Sequence, residues 1–310
     1  MTQTPRRVIH TGQAMVDLVL EVDHLPARGG NVMADRATRY AGGSVTIVVA
    51  AARSGAAAVL AGAVGTGPNG DLVREVLERE GVEVSAPPVE ELDTGVCVVL
   101  VEPSAERTFI TTRAAERRIT AASLATSAAA PGDLVCLSGY TLFEPTRDPL
   151  LAWVEGLPEG VEVVLDPGAP FATFDAELVE RVLARTTVWT SNAAEAAEVV
   201  GAEGSPADLC DAVAARLPEG AVVVVRDGPQ GCAVRVEAET TPVAGFPQTP
   251  VDTNGAGDTH TGVLCAEVAG GRGWVEAARR ANAAGAIKVT RRGPATAPTS
   301  AEVDDFLASR

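Results

Sequence analysis

The chain has 310 residues and a formal net charge of −16, a length that suits one large α/β domain or one domain with a smaller insertion. Such acidity excludes a nucleic-acid or anionic-membrane surface as the expected partner, because phosphate groups are gripped by Lys and Arg clusters. Apolar residues make up 46% and aromatics only 4%; no uninterrupted apolar run reaches the ~20 residues of a membrane span, and the N-terminal segment lacks a signal-peptide cleavage pattern, so a cytoplasmic setting is expected.

In chain order, residues 12–41 alternate with period 2 between turn signals, and Gly42 and Gly43 then precede a helical run, VVAAARSG near residue 50. DLVREVLEREG from Asp71 reads as another helix. Residues 93–115, DTGVCVVLVEPSAERTFITTRAA, return to period 2, with EPSAERT as the loop of a hairpin. From there buried strands, DLVCLSG, VEVVLDPG, TVWTSN and AVVVVRDG, alternate with helical runs, including AELVERVLART from Ala176 and SPADLCDAVAARL from Ser205. The alternation predicts a mostly parallel sheet with helices on both faces. Ligands of such sheets sit at the carboxyl ends of the strands, where Asp166, Asn192 and Asp227 fall. The two grouped-strand regions, 12–41 and 93–115, predict a small antiparallel sheet that acts as a lid, or else an extension of the main sheet.

Five scattered cysteines without CxxC spacing and three dispersed histidines without HExxH suggest neither a zinc site nor a disulfide framework. The chain has a single lysine, Lys288, which excludes a Walker-A loop and a protein-kinase nucleotide lysine. A phosphate-moving protein of this composition must neutralise charge with backbone N–H groups, arginines and metal.

The segment DTNGAGD, residues 252–258, supplies such N–H groups. It runs into THTGVLCAEVAGG, a helical stretch, and amides at a helix start favour an anion. Asp258 is then either a base that takes a proton from a hydroxyl or an N-terminal cap. SNAAE poses a similar choice: Asn192 and Glu195 either hold a water-coordinated Mg²⁺ or form a capping box. Gly228 and Gly231 in RDGPQG mark a tight turn that admits a nucleotide or closes a hairpin.

DTNGAGD with THTG, the stretch AGGSVTIVVAAARSGAAAVLAGAVGTGPNGDLVREVLEREGV, and SNAAE resemble, in order, the C-terminal signature, the N-terminal signature and the NxxE motif of the ribokinase-like (PfkB) carbohydrate kinases. The resemblance runs from about Gly12 to about Pro298, and CVVLVEPSAERTFITT with DLVCLSGYTLFEP looks like an uncharacterised bacterial sugar-kinase branch. It implies a three-layer α/β/α sandwich over residues 1–310, a single kinase domain with a β lid, and ATP-dependent phosphorylation of a hydroxymethyl group on a small sugar or polyol. By the same resemblance Asp258 is the catalytic base and Gly255, Ala256 and Gly257 the anion hole. Asp17, Gly42, Gly43, Thr46 and the lid residue Arg113 contact the acceptor, with Met15, Met33, Tyr40 and Phe109 shaping its pocket. Asn192 and Glu195 position Mg²⁺; Arg226, Gly228, Gly231 and Asn282 serve ATP; Asp252 and Gly293 match a monovalent-cation site for potassium, K⁺. A homodimer through paired lids is implied as well.

One departure from the family pattern falls on specificity. Where relatives place Asn after the paired glycines, this chain has Thr46 or Ile47, which removes an amide that both donates and accepts. The rivals to a sugar kinase are a nucleoside kinase of the same family, a non-catalytic sugar or nucleotide sensor, and a dinucleotide oxidoreductase. The last lacks GxGxxG after its first strand, where GQAMVD stands.

Overall fold

A computed structural model describes residues 6–104 and 106–310. Its first half runs β1 (Arg7–His10), β2 (Ala14–Val22), β3 (Ala34–Gly43), α1 (Ser44–Arg53), β4 (Ala57–Leu60), α2 (Pro68–Arg79), β5 (Glu83–Val84), β6 (Val96–Val101), β7 (Arg107–Thr111), α3 (Ala121–Ala125) and β8 (Leu134–Ser138). The second half continues with α4 (Arg147–Glu155), β9 (Glu162–Asp166), α5 (Ala176–Leu183), β10 (Val188–Asn192), α6 (Ala193–Val200), α7 (Pro206–Ala214), β11 (Val222–Arg226), β12 (Gly231–Val236), β13 (Glu239–Ala244), α8 (Ala256–Ala269), α9 (Trp274–Lys288) and α10 (Ser300–Ala308).

A nine-stranded sheet has the order β13-β12-β11-β10-β9-β8-β1-β4-β5, parallel except for the β12 and β13 edge. Its strands read as unbroken apolar runs because both faces are covered. In β11, Val222 and Val224 enter a core shared with α1, α8 and α9, while Val223 and Val225 enter a second core with α4, α5 and α7. This is the expected three-layer sandwich. Helix α8 is buried on every side from Thr259 to Val268, as a helix wedged between a sheet and two other helices must be. No helix among the described residues is long and apolar enough to cross a membrane.

The second sheet has the order β3-β2-β6-β7 and comes from the two regions that alternate with period 2. The β2–β3 and β6–β7 pairs are antiparallel as expected. The middle pair, β2 with β6, is parallel, because the chain returns to the small sheet only after crossing the main body through α1, β4, α2 and β5. EPSAERT does span the turn between β6 and β7; Ala105 within it lies outside the described residues.

The order of the main sheet reverses at β1, whose neighbours are β4 on one side and β8 on the other. Such a reversal opens a crevice at the carboxyl ends of the strands. β2 leaves from that end of β1, so the small sheet is rooted at the rim of the crevice.

Candidate active site

Helix α8 begins in the crevice. Its cap is Gly255, held at φ 76° in the left-handed region that glycine tolerates, with no side chain capping the helix. Among the described residues, the backbone N–H groups of Gly255, Gly257 and Asp258 have no acceptor. Ala256 differs from expectation: its N–H donates to the Thr253 carbonyl at 3.2 Å, so the turn itself consumes one amide of the predicted hole. Asp258 is not a cap. It stands in the first turn, half-buried, and its carboxylate accepts no hydrogen bond among the described residues. Burial, with the Asp166 carboxylate next, pushes its pKa up to about 7, while the Arg226 guanidinium pulls the other way.

Arg226 ends β11, and its side chain lies beneath the helix start instead of in the following loop. It donates to the hydroxyls of Thr261 at 2.8 Å and Thr190 at 3.0 Å, and it pairs with Asp166 at 3.4 Å. Asn192 and Glu195 form the capping box of α6: the Glu195 N–H donates to Asn192 Oδ1 at 2.8 Å and the Asn192 N–H donates to Glu195 Oε2 at 3.0 Å. Burial, then the Asp166 charge, raises the pKa of Glu195, which places its carboxylate beside the same cluster. No three His, Cys, Asp or Glu side chains among the described residues converge to hold a metal ion by themselves.

On the opposite wall Asp17 is buried in β2 and faces Gly42 of the neighbouring strand. Desolvation lifts its pKa to about 6, opposed by the neighbouring Asn254 side chain. Gly43 caps α1 behind this contact. Thr46 departs from its expected role: it is fully buried, with its methyl group toward Gly255, so it supports the turn from below. Arg113 is also displaced. It is exposed and lines a hollow with Phe143, Glu144 and Phe174. Of the expected pocket-shaping residues, Met15 is buried, Tyr40 packs on Gly293, and Met33 and Phe109 project into solvent.

Gly228 and Gly231 flank a short 3-10 turn between β11 and β12, with open space at Gly228 and close packing of Gly231 on Val243. Asn282 is turned inward, contrary to a place against adenine. Both hydrogens of its amide go to the carbonyls of Val243 and Ala244 at 3.2 Å, and its Oδ1 meets His260 Nε2 at 3.1 Å. Asp252 accepts from the N–H groups of Asn254 and Gly293, each at 2.8 Å. Around the expected K⁺ site, the carbonyls of Asp252 and Arg291 accept from the buried ammonium of Lys288, at 2.9 Å and 3.5 Å.

The family model of pfkB family carbohydrate kinases matches residues 5–301. The chain belongs to this family. It is 30% identical over 303 residues to the uncharacterised sugar kinase YegV of Escherichia coli strain K12, covering 97% of this chain and 94% of that protein. With a ribokinase of Bacillus subtilis strain 168 it shares 27% identity over 308 residues, 97% of this chain and 99% of the other. A fructokinase double mutant of Vibrio cholerae O395, solved in fructose, ADP and potassium ion bound form, has the same fold with a TM-score of 0.82, 24% identity and coverage of 99% and 100%.

Beyond the site residues that the family resemblance implies, four more stand in or beside the site in this pfkB-family chain, and of these only Asp166 was expected at a ligand-facing strand end. Asp166 and Thr261 complete the Arg226 network. Asn254 stands beside Asp17 and lowers its pKa. Tyr140, in the 3-10 turn after β8, has its phenol pKa raised by burial and then by the carboxylates of Glu195, Asp166 and Asp258. Asp166 had a signal, its place at the end of a parallel strand. Thr261 and Tyr140 had none, since nothing local distinguishes them from structural residues.

Proposed function

We propose that this carbohydrate kinase transfers the γ-phosphoryl group of ATP to a hydroxymethyl group of a small sugar or polyol. The observation that carries the proposal is the carboxylate of Asp258 beside three amides at the start of α8, all without partners among the described residues. A carboxylate kept near neutral pKa takes the proton of the acceptor hydroxyl as its oxygen attacks phosphorus and ADP departs. The Gly255, Gly257 and Asp258 amides steady the negative charge of the group in transit, and being fixed in advance they need no reorganisation. Arg226, clamped by Thr190, Thr261 and Asp166, keeps the base ionisable from below.

Asp17 has the position of an acceptor grip: its carboxylate accepts hydroxyl donors across Gly42, with Asn254 beside it. We read the small sheet as the lid that excludes water from the donor phosphate. A bound Mg²⁺ would neutralise the phosphate oxygens. Asn192 and Glu195 suit such an ion held through water, because Glu195 commits one oxygen to its capping box and lies near Asp166 within a cluster rich in carboxylates. Phe109 and Met33 face outward, which leaves the lid without an aromatic platform from these residues and favours a small polyol over a nucleoside. Those side chains with Ile110 would be covered if two lids paired in a homodimer, which light scattering tests.

The experiment is an ADP-release assay with MgATP and a panel of pentoses, hexoses, polyols, sugar acids and nucleosides. A small polyol or sugar should drive turnover. ADP release indifferent to every acceptor would remove the proposal.

A further inference from the structure

Lys288 is the last residue of α9 and is completely buried. Its ammonium forms no ion pair among the described residues; its hydrogen-bond acceptors are two backbone carbonyls, Asp252 O at 2.9 Å and Arg291 O at 3.5 Å. An ammonium taken from water is costly unless its donors are met, and Lys presents a compact point charge with three of them. A fold that could have placed an apolar side chain there instead buries a charge against carbonyl oxygens, as it would a coordinated alkali ion.

The site is also connected to the chemistry. Asp252 is held at three points: its carbonyl by Lys288, one carboxylate oxygen by the Asn254 N–H and the other by the Gly293 N–H. The next residues are the turn whose amides and carboxylate form the proposed reaction centre. The carbonyls that would coordinate K⁺ between the 252 and 291 segments already have a cation, and a K⁺ ion there would face the ammonium at close range. The residues present do not fit the metal ion.

We infer that Lys288 is a tethered replacement for the monovalent cation, positioning the segment from Asp252 to Asp258, and that the protein needs no potassium. The inference uses the kinase proposal only for what the segment does, so its test reads folding stability and MgATP binding, neither of which needs an acceptor.

Thermal melting and MgATP calorimetry on the full chain would be run in KCl, NaCl and choline chloride at equal ionic strength. Wild type should give the same melting temperature and affinity in all three. Lys288→Ala in choline should melt lower and bind MgATP about tenfold more weakly, in the usual range of coupling between neighbouring sites. KCl should restore both in a saturable way by mass action, with NaCl less effective. Lys288→Met, which keeps most of the apolar stem, serves if the alanine variant does not fold. Selective strengthening of wild type by K⁺ overturns the inference, and so does a Lys288 variant whose defects ignore K⁺, since Lys288 would then be packing alone. If MgATP fails to bind wild type in any salt, the kinase proposal fails while the melting series still decides the role of Lys288.

Discussion

Gly42 and Asp17 leave no room for a methyl group between them: a Cβ on Gly42 would lie 2.4 Å from Asp17 Cγ. The carboxylate is the movable partner, so Gly42→Ala should fold and push Asp17 off its acceptor. With charge-assisted hydrogen bonds worth roughly 1.5–3 kcal/mol each, the acceptor kcat/KM should fall about 10- to 100-fold. Calorimetry should find MgATP affinity unchanged. An equal loss for nucleotide and acceptor would mean a general disturbance of the small sheet.

Asp258→Asn removes the base and keeps its shape. Turnover should drop by about 10²-fold or more with nucleotide binding retained. In wild type kcat/KM should fall as pH drops below about 7, where Asp258 becomes protonated, and more steeply below about 6, where Asp17 follows. The residual rate of the Asn variant should lose the limb near 7 and keep the one near 6. A variant with near-normal turnover would falsify the assignment.

The same carboxylate should cost stability. Its folded pKa is raised from 3.8 to about 7, so the folded state binds the proton more tightly than the unfolded chain across that window. Stability therefore declines as pH rises from about 4 to about 7, and the full penalty stands above 7. Asp258→Asn should melt higher than wild type at pH 8, with the gap closing toward pH 4. A constant gap across pH would assign it to packing.

Arg226 lowers the pKa of Asp258, third in strength after burial and Asp166 among the influences on it. Arg226→Gln should move the acid limb of the pH–rate profile upward and reduce turnover at pH 7, with partial recovery at higher pH. A loss that no pH recovers would place Arg226 on the transferred group instead of behind the base.

Asn282→Ala strips partners from His260 and from the carbonyls of Val243 and Ala244. Denaturant unfolding should show a loss of about 1–3 kcal/mol, the cost of buried polar groups left unpaired. MgATP affinity should hold. Weak binding in a variant of normal stability would return Asn282 to the adenine.

Much of the fold was legible because it is written in short range. Val222 to Val225 announce a strand covered on both faces, Gly255 and Gly257 announce a helix start, and period 2 over residues 12–41 and 93–115 marks the small sheet. The parallel pairing of β2 with β6 was not, since it depends on the path of the chain between them.

The sequence by itself determined the layer architecture, the family motifs and the helix-start turn, because backbone periodicity and turn chemistry act between near neighbours. Only the tertiary structure decided which side chains share the crevice. Asp166, Arg226 and Thr261 meet because parallel crossovers bring distant strand ends and a helix together. Thr46 and Asn282 turned inward because α1 and α9 pack their polar atoms into the body. Lys288 reached the Asp252 carbonyl because α9 ends beside it, and no spacing along the chain encodes that approach.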